Sequence, residues 1–233
     1  FISKVLNTNQ TKIIKNTDDF LQESINIIKT CDCFLIIAPE TEDILYQLVQ
    51  EYQEKSSAIN YNCSPSAIHL ATYKSKMHSF CLENNILSPK TILIDKNTPI
   101  DELLDNLSFQ FPMIIKPDDG VACEGIRLCN TRNELEKTLG FIDEKEVLLQ
   151  EFIEGEDLSV SLKISNKALD LLSLNKQIIS LKNNSSSYLG SICNVEHRMK
   201  EKIITISQEI VSKIQGINGF IGLDFICTKE NEI

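Results

Sequence analysis

Phe111-Pro112-Met113-Ile114-Ile115-Lys116-Pro117, followed by Asp118-Asp119-Gly120-Val121-Ala122-Cys123-Glu124-Gly125, is the stretch whose reading decides the fold. A short apolar run ending on a lysine reads as a buried strand, and the glycines behind it read as a loop. A lysine held at a strand end can reach a phosphate, while glycines let backbone N–H groups approach the same anion. The spacing fits a hairpin turn beside a surface lysine equally well. Asp118, Asp119 and Glu124 also carry charges that oppose a triphosphate. At an effective dielectric of about 20, a charge pair 4 Å apart is worth roughly 4 kcal/mol. One lysine therefore cannot offset these acids, and a phosphate grip here requires a divalent metal and further cations.

Downstream, Leu148-Leu149-Gln150-Glu151-Phe152-Ile153-Glu154-Gly155-Glu156-Asp157 is a strand that breaks at a glycine and leaves carboxylates at its end. Backbone groups freed at such a break can pair with the edge of a base, and a carboxylate two residues past the glycine can accept ribose hydroxyls. An acidic hairpin turn is the alternative. Gly222-Leu223-Asp224-Phe225 sets one acid among apolar strand residues. A lone strand acid is expensive without a partner, which leaves metal ligation or a structural ion pair.

Around these stretches, apolar runs of strand length alternate with segments of helical period, the pattern of an α/β or α+β protein. Cys33 to Ala38 predicts a buried strand, and Ile44, Leu45, Leu48, Val49 and Tyr52 fall on one helix face. Ala58 to Tyr61 predicts a short strand. Ser64-Pro65 predicts a capped helix start, with the helix running to about Asn84. Residues 1–88 then form a parallel, crossover-connected layer that has lost its first strand. Pro89 marks a boundary. A small subdomain over 89–145 follows, with strands at Thr91 to Ile94, Met113 to Lys116 and Gly125 to Cys129, and helices at Ile100 to Leu107 and Thr131 to Leu139. From 146 to 233, Val147 to Ile153, Leu158 to Ile164 and Leu169 to Ile179 read as an antiparallel meander. A helix with Ile203, Ile206, Ile210 and Ile214 on one stripe and a strand at Gly219 to Cys227 complete the pattern.

The net charge of -10 excludes nonspecific nucleic-acid binding, which needs a basic face. No apolar run approaches 18 residues and no leader peptide is evident, so membrane insertion and secretion are not expected. The cysteines lie scattered in apolar segments without zinc spacing, which predicts buried or half-buried free thiols in a reducing cytoplasm.

The order Lys-Pro, glycine loop, QEFIEGED and GLDF resembles the ATP-grasp superfamily. The resemblance implies an ATP-grasp fold preceded by a Rossmann-like pre-ATP-grasp domain. It implies that Lys116 holds the α- and β-phosphates above a loop carrying Gly120 and Gly125. Gln150, Glu151, Phe152 and Ile153 would line the adenine, and Asp157 would take the ribose. Lys74 matches a lysine that closes on the nucleotide, although Tyr73 stands where an acid commonly precedes it. Lys176 matches a cation near the phosphates. Asp224 matches the first metal-binding acid, for Mg²⁺ or Mn²⁺. The Glu-x-Asn pair that normally completes the metal site does not occur before Ile233, so the C-terminal subdomain reads as truncated.

Cys33 to Glu40, Asn62 to Ser66 and Leu158 to Leu162 further resemble archaeal carboligases, a group that includes the tyramine–glutamate ligases of methanofuran biosynthesis. The implied reaction is ATP-dependent joining of a carboxylate, such as that of L-glutamate, to an amine, such as tyramine, through an acyl phosphate. The substrates would be small molecules met near Tyr188-Leu189-Gly190 and Arg198, with Lys116, Lys176 and Arg198 as the catalytic cations. A phosphotransferase on the same fold and a non-catalytic nucleotide-binding module are the alternatives. The oligomeric state is left open.

Overall fold

The computed structural model describes residues 17–121, 123–166, 168–182, 185–230 and 232–233. The expectation that this layer has lost its first strand falls on residues before Thr17, which lie outside them. In the N-terminal unit, α1 (Thr17–Ile28) packs with α2 (Ile44–Lys55) through Ile25, Phe34 and Tyr52 over a two-stranded parallel sheet. Its strands are β1 (Cys33–Phe34) and β2 (Ile59–Asn60). The strand expected over Cys33 to Ala38 stops at Phe34 because a side chain takes over its pairing. Asn62 accepts from the Ile36 N–H at 2.9 Å and donates to the Ile36 carbonyl at 2.8 Å. Leu35 and Ile37 beyond that point are exposed.

The single helix expected from Ser64 to Asn84 is two. α3 (Pro65–Thr72) begins at Ser64, whose hydroxyl accepts from Ala67 N–H at 3.3 Å as the sequence predicts. Tyr73 then turns extended, with φ -95° and ψ 113°, and α4 (Lys74–Glu83) starts afresh. No proline or glycine marks this break. Its cause is tertiary, because the Lys74 N–H bonds to the carbonyl of Asp118 at 3.0 Å instead of to α3.

The rest of the chain forms one eight-stranded sheet in the order β10-β7-β8-β9-β5-β4-β6-β3. In chain order these strands are β3 (Thr91–Asp95), β4 (Met113–Lys116), β5 (Arg127–Cys129), β6 (Glu146–Glu151), β7 (Glu156–Ser165), β8 (Ala168–Lys182), β9 (Ser185–Ile192) and β10 (Gly219–Cys227). All of their pairings are antiparallel. Two features of the expected meander are corrected. β6 does not pair with β7 but lies between β3 and β4, and its true successor beyond β8 is β9, which the sequence reading left unassigned.

Helices α5 (Ile100–Asp105), α6 (Arg132–Phe141) and α7 (Lys200–Lys213) cover one face of this sheet, here called the back. Under α5 and α6, Met113, Ile115, Val147 and Leu149 meet Leu103, Leu135 and Leu139. Under α7, Leu158, Val160, Leu162, Leu174 and Phe225 meet Ile203 and Val211. Each such side chain contributes about 1.5–3 kcal/mol by leaving water. The fully buried stripe of α7 runs through Ile203, Ser207 and Val211, and of the expected stripe Ile203 and Ile214 are buried and Ile206 packs half-buried against the same core. Ser207 is tolerated there because its hydroxyl donates to the Ile203 carbonyl at 2.7 Å. The cysteines are all free, but Cys31, Cys33 and Cys193 are exposed, contrary to expectation, and only Cys81, Cys129 and Cys227 are buried. No helix among the described residues is long and apolar enough to cross a membrane.

The N-terminal unit is joined to the start of β10. Ser64 N–H donates to the Gly216 carbonyl at 2.8 Å, and the Cys63 thiol donates to the Asn218 carbonyl at 3.0 Å. Gly219 has φ +76°, and a Cβ there would overlap the Tyr61 carbonyl, so only glycine fits this approach. Gly219→Ala is expected to destabilise the fold by more than about 1 kcal/mol, read as a lower urea midpoint. An unchanged midpoint would mean that this joint does not form in solution.

Candidate nucleotide site

In an antiparallel sheet, paired residues share a face and successive residues alternate. Followed through the registers, this rule sets Lys116, Gln150, Asp157, Asn175, Gln177 and Asp224 on the face opposite α5, α6 and α7. That front face joins the two halves of the expected cleft.

Lys116 ends β4 and is half-buried. Its ammonium donates to Gln150 Oε1 at 2.9 Å, Gln150 Nε2 donates to Thr91 Oγ1 at 2.6 Å, and the Thr91 hydroxyl donates to the Pro89 carbonyl at 2.9 Å. The chain of bonds fixes where the lysine points. Burial, and secondarily the charge of Lys74, push its pKa down to about 8, with Asp118 acting the other way. His78 of α4 lies close by and is lowered by burial and then by the Lys116 charge. Gln150, expected at the adenine, thus spends its side chain on Lys116. Glu151 accepts from Lys90 N–H at 2.7 Å through its carboxylate, and its own N–H donates to the Lys90 carbonyl at 3.0 Å. Phe152 N–H donates to the Pro112 carbonyl at 3.3 Å, and Phe152 and Ile153 remain half-buried at the strand end.

The loop after Lys116 is wrapped on Pro117. A Cβ at Gly120 would lie 2.5 Å from Pro117 Cγ, and one at Gly125, where φ is +71°, 2.9 Å from Pro117 Cδ. This contact is the physical content of a Lys-Pro followed by spaced glycines. Lys74 reaches the same loop, donating to the Asp118 carbonyl at 3.2 Å and the Gly120 carbonyl at 2.6 Å. Burial lowers the Lys74 pKa, against the charges of Asp118, Asp119 and Glu40. Two of the loop acids are engaged as well. Asp118 accepts from Ser75 N–H and the Ser75 hydroxyl at 2.8 and 2.6 Å, and Asp119 accepts from Glu42 N–H at 3.1 Å.

On the other half of the front face, Gln177 Nε2 donates to Asp224 Oδ1 at 2.7 Å. Asp224 is reached by solvent, yet the crowding around it removes enough water to raise its carboxyl above the usual range, while the Gln177 bond opposes the rise. Asp157 is raised by burial first and by the Asp224 charge second. Asn175 beside them is 6% exposed, and its Oδ1 has no hydrogen-bond partner. Among the described residues, no three His, Cys, Asp or Glu side chains converge as a metal site.

Lys176 and Arg198 are brought together, but elsewhere. β8 turns Lys176 to the back face with Leu158, where its ammonium meets Glu156 Oε2 at 2.9 Å. His197 and Arg198 approach Glu156 Oε1 at 3.5 and 3.6 Å. The bonds from Lys176 and then His197 hold the Glu156 carboxyl below its ordinary range. Lys176, expected near the phosphates, and Arg198, expected at the substrate, therefore share a carboxylate across the sheet from Lys116. Tyr188 and Leu189 are exposed on β9.

The sequence profile of the ATP-grasp domain matches residues 75–233, and that of the pre ATP-grasp 3 domain matches residues 3–68. The chain belongs to the ATP-grasp family. This ATP-grasp chain is 32% identical over 223 residues to tyramine–L-glutamate ligase of Methanocaldococcus fervens, an alignment covering 94% of this chain and 64% of that protein. The chain thus spans less than two thirds of that relative's length. Among solved structures, a putative ATP-grasp superfamily protein from Archaeoglobus fulgidus superposes with TM-score 0.67 at 24% identity, over 90% of this chain and 58% of its own. N5-carboxyaminoimidazole synthetase from Staphylococcus aureus complexed with ADP gives 0.75 at 16%, over 94% and 56%. At these identities the two structures speak for the ATP-grasp fold alone.

Gln177, Thr91 and Ser75 belong to the site without a signal of their own in the sequence. Gln177 alternates with Asn175 on β8 and could have been found once the register of β7 was known. Thr91 and Ser75 act through partners 59 and 43 residues away and leave no local signal. The Lys116 pKa has a sign that can be checked. A triphosphate binds the charged amine, so affinity should be full below about pH 8 and fall as the pH rises through it. Calorimetry at pH 7 and pH 9 reads this, and Lys116→Arg, charged throughout, should flatten the dependence.

Proposed function

We propose that this chain is the nucleotide-binding core of an ATP-dependent carboxylate–amine ligase. The observation that carries the proposal is the half-buried Lys116 ammonium, held by Gln150 at the rim of a glycine loop. It does so in a chain whose relative over 94% of this chain's length is a tyramine–L-glutamate ligase. By that likeness the acid is L-glutamate, the amine is tyramine, and the pathway is methanofuran biosynthesis. The three segments would be a pre-ATP-grasp unit over 1–88, a smaller ATP-grasp subdomain over 89–145 and a C-terminal one over 146–233.

The chemistry runs in two steps. A carboxylate oxygen attacks the γ-phosphorus of ATP, the bond to the β-phosphate oxygen breaks, and an acyl phosphate and ADP result. The amine nitrogen then attacks the acyl carbon, the carbon–oxygen bond to phosphate breaks with its electron pair, and the nitrogen loses a proton. Neither step needs a nucleophile from the protein, so positioning and charge neutralisation supply the catalysis. Lys116 would neutralise phosphate charge, Lys74 would hold the loop beside it, and the ends of β4 and β6 would receive the base at Glu151, Phe152 and Ile153.

Asp224 and Asp157 offer hard oxygens, and both carboxyls are raised by desolvation, Asp157 also by the Asp224 charge. That fits Mg²⁺ or Mn²⁺, which takes one or two carboxylates together with phosphates and water. When bound, such an ion would supply charge neutralisation at the phosphates. On this reading Asp157, on the same face as Asp224 and raised by burial and then by the Asp224 charge, would serve the ion as well as the ribose assigned by resemblance.

Hydroxylamine supplied in place of the amine should give a glutamyl hydroxamate with release of ADP. ADP release without hydroxamate would instead indicate a hydroxyl acceptor, and no ADP release with any acid would indicate a binding module. Lys116→Ala should weaken ATP at least about thirtyfold, as loss of one partner of a buried charge contact does. Unchanged affinity in calorimetry would remove Lys116 from the site.

A further inference from the structure

α4 has no cap of its own. The residue before it, Tyr73, makes no side-chain bond to the helix, and its hydroxyl is turned away to Asp43 Oδ2 at 2.9 Å. The first N–H groups of a helix need acceptors, and here the loop after Lys116 supplies them. The Asp118 carbonyl takes Lys74 N–H at 3.0 Å, and the two Asp118 carboxylate oxygens take Ser75 N–H and the Ser75 hydroxyl at 2.8 and 2.6 Å. Lys74 Nζ adds bonds to the carbonyls of Asp118 and Gly120. Asp119 fastens the neighbouring turn through Glu42 N–H. An aspartate thus serves as the N-cap of a helix that begins 44 residues earlier in the chain, a separation of Asp118 from Lys74 seen in the same bond.

We propose that Asp118 is a positioning residue for nucleotide binding, which caps α4 and thereby presets the start of the phosphate loop and the Lys74 ammonium beside Lys116 before nucleotide arrives. The proposal rests on the reading of this cleft as the ATP site. It accounts for an acid in a loop that must accept a triphosphate. The Asp118 charge faces the positive end of the α4 dipole and two Ser75 donors, so it is spent on holding the loop. A preset loop also lowers the ordering cost of binding, so its loss should appear in affinity for ATP and not in turnover at saturation.

The test uses the full-length protein with Asp118→Ala, Ser75→Ala and the double variant. Hydrogen exchange without nucleotide reads the clamp directly, because the Lys74 and Ser75 amides should lose protection in Asp118→Ala while those of the β7 and β10 core do not. Calorimetry with ATP should show affinity reduced about tenfold, the effect of losing a charge-assisted hydrogen bond. The KM for ATP should rise in step, with kcat and the KM for the acid unchanged. The double variant should be no worse than Asp118→Ala alone, since the two residues share one set of bonds. Asp118→Asn, which keeps an acceptor for Ser75, should recover part of the loss. Unaltered exchange at Lys74 and Ser75, or unaltered ATP affinity, overturns the proposal, as does a uniform fall in kcat and core protection. If the unmodified protein binds no ATP, the reading of the cleft falls as well, a result that the variants alone do not produce.

Discussion

Placing the ammonium of Lys116 among packed strands carries a desolvation cost, and much of the first half of the sheet is organised around meeting it. The cost is visible in the depressed pKa of about 8. It is met by one glutamine oxygen, itself fixed through Thr91 to Pro89, and by the charge of Asp118. That bonding requires β6 to lie beside β4 and β3. Insertion of β6 between two strands that precede it in sequence is therefore the same fact as the position of the lysine.

The two halves of the front face solve opposite electrostatic problems. Around Lys116 and Lys74, burial lowers both cations, and the Lys74 charge lowers Lys116 further. Around Asp157 and Asp224, desolvation raises both acids, and the Asp224 charge raises Asp157 further. On the proposed reading of the cleft, a metal–phosphate complex would complement both halves. Lys176 and Glu156 stand apart on the back face because one step along a strand reverses the face of a side chain, and Arg198 joins them from the turn before α7. Lys176 and Gln177 are neighbours in sequence, and only Gln177 faces Asp224.

What could be read in the chain was whatever local pattern determines. β4, β7, β10 and α7 follow from apolar runs and helical spacing, and the Ser64 cap follows from side-chain chemistry. β9 escaped because Ser185-Ser186-Ser187 and Gly190 carry little β-propensity, and its place is set by pairing with β8 and β5. The break at Tyr73 escaped because its acceptor lies in a distant loop. Of the expected site, the order of Lys116, the glycine loop, Asp157 and Asp224 along the chain was legible, since Lys116 ends a strand, Asp157 follows the glycine before β7, and Asp224 is a lone acid among apolar strand residues. The facing of Lys176 was not, since it depends on register, and neither was the place of Arg198, which is set by the turn before α7.

The N-terminal unit meets the rest of the chain at several places, among them the start of α4 against residues 118–120, the Tyr61–Ser64 turn against Gly216–Gly219, and the Asn84 carbonyl, which accepts from Lys213 Nζ at 2.7 Å. The first of these lies in the loop that follows Lys116 and the second at the root of the strand that carries Asp224. One unit therefore bears on both halves of the front face, so strain set at one half has a packed route to the other.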